Sequence, residues 1–367
     1  MSDVNSLRTY REQYGLSQEE LGEQVGVTRQ TIATWERGDR QPSLIQLSKV
    51  AKVFGVPPDL LLQPEVQKIT PITTGSLSLL FRADDPLALT SIVREHLTRK
   101  AVDFSQIEKM VGEVPVLPVS RPIEEYEETV VEDLAKEVRN WLGVGEFAPI
   151  GDVLALLEAK SLKIIEYSLE NQISGFSAYT DDWGGVIFIN TSHPTERKFF
   201  TALHELAHLI LHRREYRQPQ GRSRPTDPRE KAANHLAGAV LLPLGAVQRE
   251  LHAYKNRWLP EPLLQDIKRR YGVSLRTTLY RAEQAGLITK QQKGQQIGIL
   301  NKKYGAEEEL PKLPSPQRLT RLKRLVYTAL VKEEITASRA AEILEENLRI
   351  VQKDLLEWLH QDGEELN

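Results

Sequence analysis

One stretch constrains this chain more than any other: Thr195 to Arg214, TERKFFTALHELAHLILHRR. Leu203, Leu206, Ala207 and Ile210 recur at i, i+3, i+4 and i+7, so the segment predicts a helix with an apolar face. Inside it, residues 204–208 read His-Glu-Leu-Ala-His. Two histidines four residues apart project from one side of a helix, about 6 Å apart along its axis. Both imidazoles can then reach one metal ion at about 2.0–2.1 Å, the zinc bond length. Glu205 lies beside them without being a ligand, where a carboxylate can take a proton from metal-bound water. A buried helix with a narrow solvated strip is the plain alternative. Phe199, Phe200, Leu209 and Leu211 weigh against it by making most of the circumference apolar.

A catalytic zinc centre needs a third protein ligand. His212 lies eight residues beyond His204, about 12 Å along the axis, too far to share the ion, and is expected to play a supporting role. In the next helical segment, DPREKAANHLAGAVLLP, Glu230, Ala233, Asn234 and Ala237 share a face whose small residues permit close approach. Spacing alone leaves two readings of Glu230: a ligand, or part of an N-terminal capping box beginning at Asp227-Pro228.

HELAHLILH followed by EKAANHLAGAVLLP resembles the ImmA/IrrE family of metallo-endopeptidases, whose hallmarks are HELGHxxLH and ExxANxFAxxLLMP. The resemblance covers about 120 residues, from the strands before the helix to Pro243. It implies His204, His208 and Glu230 as ligands of one zinc ion and Glu205 as general base. Ala207 for Gly, Leu236 for Phe and Leu242 for Met depart from the pattern only at packing positions.

Residues 5–63 are short helical patterns separated by glycines. Ser17 with Glu20 makes a capping box, and Thr28 caps the next helix. Two short helices joined by a glycine turn read as helix-turn-helix. GLSQEELGEQVGVTRQTIATWERGDRQPSLIQLSKVAKVFGV resembles the Cro-like (XRE-type) DNA-binding family over its whole length. That resemblance implies Arg29, Gln30 and Thr34 at base edges, with Thr28 at the start of the reading helix. It also implies Gln18 and Arg40 at phosphates and an internal Arg11–Glu36 ion pair. Residues 1–63 hold 7 Lys+Arg against 8 Asp+Glu, a poor balance for phosphate affinity. The bases cluster in the later half, however, and give a local basic face. A small module of this kind is expected to bind an operator as a homodimer.

The remaining segments predict structure rather than chemistry. PEVQKITPITTG reads as a linker, residues 89–97 as a helix and His96 as a lone surface residue. Helices are expected over 121–141 and 149–159. Strands are expected at Leu162–Tyr167, Gly175–Tyr179 and Val186–Asn190, forming a small antiparallel sheet in which Val186–Ile189 is either the edge that takes a bound peptide or, equally well, an internal strand. Five arginines (213, 214, 217, 222 and 224) read as a solvated loop, and residues after Pro243 have a winged-helix-like cadence. Zero cysteines and a formal net charge of −3 exclude disulfides, Cys-ligated zinc and a global field for nucleic acid or membrane. No signal peptide or membrane span is legible, and a cytoplasmic location is expected.

The chain thus reads as multidomain and mainly α. Its expected parts are a helix-turn-helix unit (1–63), a helical connector (64–120) and an α+β zincin-like domain (121–246). A winged-helix-like module (247–305) and a C-terminal helical module (306–367) follow. The expected function is zinc-dependent hydrolysis of a peptide bond in a partner protein, a repressor, by a regulator bound to double-stranded DNA. The alternative is a repressor or antitoxin whose peptidase-like domain only senses or dimerises.

Overall fold

The computed structural model describes residues 6–13, 16–54, 61, 81–82, 89–114, 120–122, 125–170, 172–213, 216, 227–305 and 309–364. The linker at 64–75 and the arginine-rich loop, apart from Arg213, lie outside the described residues. The fold is mainly helical with one small sheet.

At the N-terminus stand α1 (Ser6–Gln13), α2 (Gln18–Val25), α3 (Arg29–Glu36) and α4 (Leu44–Phe54). Both halves of the Ser17–Glu20 capping box are present, and Gly26 ends α2 in the left-handed region at φ 76°. Thr28 caps α3 through the amide of Thr31. Gly22, inside α2, leaves room for the turn that follows, since a Cβ there would lie 2.7 Å from the Val27 carbonyl oxygen. Leu21, Val25, Ile32, Trp35, Val50 and Phe54 form a core of their own. The Arg11–Glu36 pair is formed at 2.5 Å with both side chains largely buried.

The rest of the chain is built on a sheet. β1 (Phe81–Arg82) follows the first unit, and then α5 (Ser91–Val111), α6 (Glu128–Leu142) and α7 (Val153–Ala159). The remaining strands are β2 (Lys163–Tyr167), β3 (Gly175–Thr180) and β4 (Gly184–Asn190). The order is β1-β3-β4-β2. β3 and β4 form the expected hairpin, but β2 runs parallel to β4, so the sheet is mixed rather than antiparallel. β4 lies between β3 and β2, which decides against the edge and for the internal strand. The reason is burial on both faces: Ile187 and Ile189 enter one core, Val186 and Phe188 the other. Such strands read as unbroken apolar runs.

Two helical layers cover the sheet. On the Ile187 face lie α8 (Thr195–Leu211), α9 (Pro228–Leu241) and α10 (Leu244–Leu251), followed by α11 (Glu261–Tyr271), α12 (Leu275–Gln284) and α13 (Lys290–Tyr304). Leu251, Leu264, Ile267, Leu279 and Leu300 belong to the same core as Leu203 and Leu236. On the Phe188 face, α5 packs with α14 (Arg321–Val331), α15 (Ala337–Leu344) and α16 (Leu348–Glu364), segments more than 200 residues apart. Buried charges tie that layer to the sheet. Lys163 of β2 lies 2.7 Å from Glu108 of α5, and Glu108 also pairs with Arg321 of α14. His96 is not a lone surface residue: it is half-buried, with Nε2 3.0 Å from Glu345 Oε1 and its ring against Tyr167.

Candidate metal centre and DNA-reading surface

α8 is buried nearly all round, as its sequence requires. Its polar strip faces α9, where Ala232, Ala233, Ala237 and Ala239 are buried and let the two helices approach closely. His204, Glu205, His208 and Glu230 are 9%, 5%, 1% and 6% exposed. Asp227 caps α9 by accepting from the Arg229 amide, with Pro228 in the first turn. Glu230 is therefore not needed for capping, and its carboxylate points to the histidines.

Three donor atoms converge there. His204 Nε2 lies 3.0 Å from His208 Nε2. Glu230 Oε2 lies 3.3 Å from the first and 3.6 Å from the second. Ligands at zinc bond lengths on a tetrahedron are about 3.3 Å apart, so the triangle has the size that a single ion needs. Among the described residues this is the one cluster of at least three such donors that can hold a metal. Burial pushes the Glu230 carboxyl up, but hydrogen bonds and charge from His204 and His208 outweigh it and hold the group far below the carboxylate range. It is thus ionised, as a metal ligand must be.

A supporting layer surrounds the donors, and only part of it was visible in the sequence. The Asn234 amide oxygen lies 3.1 Å from His204 Nδ1. With that oxygen accepting, Nδ1 donates, so Nε2 is the nitrogen that would turn its lone pair to a metal once it gives up its proton. His212, expected to support, does so: its Nδ1 is 2.9 Å from His208 Nδ1. Glu205 turns to the sheet. Ser177 of β3 donates its hydroxyl to Glu205 Oε2, and Tyr216 OH lies 2.6 Å from the same hydroxyl. Since the single Ser177 proton goes to the carboxylate, Tyr216 must be the donor to Ser177. His212 was named from the sequence as a supporting residue and Asn234 as a neighbour of Glu230 on its face, without the bond to His204. Ser177 and Tyr216 carried no local signal.

The second candidate site lies on the N-terminal unit. Thr28, Arg29 and Gln30 are exposed at the start of α3, and Arg40 is exposed in the α3–α4 loop. Thr34 is half-buried and donates to the Thr31 carbonyl at 2.8 Å. Gln18, at the start of α2, donates its amide to Glu36 Oε2 at 2.8 Å. The helix start and the loop therefore present side chains outward, while Gln18 is also held by the internal pair.

Comparison with known proteins matches the two regions that carry these residues. Residues 7–61 match the helix-turn-helix family, and residues 157–283 match the family described as the IrrE N-terminal-like domain, a peptidase family. An HTH-type transcriptional regulator of Bacillus subtilis, YgzD, is 50% identical over 52 residues, 14% of this chain and 79% of that protein. One from Methanothermobacter thermautotrophicus is 51% identical over 49 residues, 13% of this chain and 71% of that protein. The chain belongs to the XRE-type helix-turn-helix regulators and carries an IrrE/ImmA-like peptidase domain behind its DNA-binding unit. No helix among the described residues is long and apolar enough to cross a membrane.

Proposed function

We propose that this regulator is also a zinc endopeptidase, cutting a peptide bond in a partner repressor while its helix-turn-helix units, paired in a homodimer in the cytoplasm, hold an operator. The observation that carries the reading is the triangle of His204, His208 and Glu230 donors, with Glu205 buried beside it and accepting from the Ser177 hydroxyl. Three protein donors are the count of hydrolytic zinc sites, against four in structural ones. When bound, the metal polarises the scissile carbonyl and lowers the pKa of a water molecule towards 7.

The chain's own groups do the rest. His204, oriented by Asn234, and His208, oriented by His212, keep fixed ring positions. Glu205 accepts the proton of the attacking water and delivers it to the leaving amine. Ser177, backed by Tyr216, fixes the direction of the carboxylate. On the DNA, Arg29 and Gln30 suit guanine and adenine respectively, through bidentate hydrogen bonds in the major groove. Thr28 and Thr34 flank them, and Gln18 and Arg40 meet phosphates.

The test is to incubate the purified full-length chain with repressors encoded in genes beside its own, with zinc or with chelator. A defined pair of fragments, formed only with zinc, is expected. Intact repressor in every mixture, with zinc bound, would overturn the enzymatic reading.

A further inference from the structure

α8 lies over β3 and runs in the same direction, for three alternate residues of the strand meet it in order. A Cβ added at Gly175 would stand 2.6 Å from Thr201 Cγ2, which marks the close approach of helix and strand. Ser177 donates to Glu205. The Arg213 guanidinium lies over the Tyr179 ring, 5.3 Å from its centre, and donates back to the Leu209 carbonyl. Gly175 to Tyr179 spans about 13 Å of strand. Thr201 to Leu209 spans about 12 Å of helix, so the two run side by side over that length. Glu205 therefore stands at the level of Ser177, midway along β3.

The two edges of β3 are used differently. β4 pairs with one of them from Gly175 to Thr180. β1 takes the other, antiparallel, with Phe81 opposite Ala178 and Arg82 opposite Ser177. β1 thus fills the strand position, about 4.8 Å away, beside the residue that holds Glu205. An extended peptide that joins this sheet next to Glu205 pairs with the edge through its main chain, and β4 closes the inner side. It must use the backbone groups that β1 already occupies. β1 is poorly placed to keep them. Among the described residues it pairs with Ser177 and Ala178 alone, whereas β3 runs for 6 residues. A segment paired along the whole of β3 forms more main-chain hydrogen bonds with the same edge.

Building on the peptidase reading above, we propose that β1 is an internal competitor for substrate: it holds the outer edge of β3 in the resting chain, and an extended segment of the protein to be cut displaces it. The probe is a fluorescein-labelled peptide of residues 78–84, SLLFRAD, titrated by anisotropy onto the full-length protein. Phe81→Pro/Arg82→Pro removes both amide donors of β1. It should bind the peptide about tenfold or more tighter than the wild type, because apparent affinity scales with the fraction of molecules whose edge is free. Phe81→Cys/Ala178→Cys places two thiols in a chain that has no cysteine. Their Cα atoms, opposite one another, stand about 4.5–5.5 Å apart, a span that a disulfide bridges. The oxidised form should bind no peptide, and reduction should restore wild-type binding. Equal binding by the wild type and the proline variant, no binding by the proline variant, or binding that survives oxidation would overturn the proposal. If the proline variant fails to fold, the oxidised and reduced forms decide. The zinc-loaded forms are then given the partner repressor. Cleavage should stop on oxidation, and the proline variant should show a lower KM with kcat unchanged. Cleavage at one rate in all forms would overturn the competitor and leave the peptidase reading standing. Peptide exchange with no cleavage in any form would contradict the peptidase reading and leave the exchange of β1 standing.

Discussion

The DNA-reading surface and the metal centre use polar side chains in opposite ways. Arg29, Gln30 and Arg40 are exposed at the start of a helix and in a loop, over a core that does not depend on them. His204, Glu205, His208 and Glu230 are buried, and each is held by at least one other side chain. A reading surface must leave its donors for a base edge or phosphate to satisfy. A metal centre must fix its donors before the ion arrives, because geometry set late is bought with conformational entropy. Substitutions should therefore weaken binding alone in the first region, and binding together with folding in the second.

The largest effect is expected at the ligands. His208→Ala should reduce bound zinc from near one per chain to near none by elemental analysis. It should also destabilise the peptidase domain by about 1–3 kcal/mol, because the buried Glu230 carboxylate loses one of its two histidines and keeps only His204 at 3.3 Å. Arg11→Ala probes where the comparison breaks, since Glu36 is a buried acid in the otherwise outward-facing unit. It should lower that unit's unfolding free energy by about 3 kcal/mol in urea titration, with zinc content unchanged.

Arg29→Ala and Gln30→Ala lie at the other extreme. Each should weaken operator binding by about 1–3 kcal/mol and relax preference at one base position per half-site. Thermal unfolding should shift by no more than about 0.5 kcal/mol.

The smallest effect is a pH dependence confined to the sheet-based part of the chain. Burial pushes the Glu158 carboxyl up to about 7 from an ordinary 4.5, against the opposing charge of Arg318. The folded state then holds a proton that the unfolded state has lost, so stability falls as pH rises from 4.5 to 7. Glu132 behaves oppositely. Burial alone would raise it, but hydrogen bonds from His235 and Arg281 hold it at about 2. Its contribution is complete above 4.5 and lost as pH falls through 2. Urea titrations across pH should show Glu158→Gln flattening the decline between 4.5 and 7 by about 1–2 kcal/mol, with the acid limb unchanged.

The sequence made the same two regions unequally legible. The helix-turn-helix unit was readable almost throughout because its caps, turns and apolar spacing are local: Ser17–Glu20, Gly26 and Thr28 each act within a few residues. His204 and His208 were readable for the same reason, being one helical turn apart, whereas spacing alone left Glu230, in the next helix, open between ligand and cap. What holds Glu205 was not, since Ser177 is 28 residues away in sequence and reaches it only through sheet packing. Strand direction was also hidden, because alternation is the same in parallel and antiparallel pairs. The position of β4 was partly legible: Val186-Ile187-Phe188-Ile189 has no polar alternation, the mark of a strand covered on both faces. That α5 packs with α14–α16 follows from no local pattern.

Glu205→Gln offers the most direct measurement. It preserves size and leaves His204, His208 and Glu230 untouched, so bound zinc and operator affinity should equal those of the wild type. Removing a general base typically slows a reaction by about 10²–10⁴-fold, and cleavage of the partner repressor should fall accordingly, keeping target genes silent in cells. A domain that only senses or dimerises has no use for a proton acceptor. Wild-type cleavage and regulation by a zinc-loaded Glu205→Gln protein would contradict the proposed peptidase mechanism.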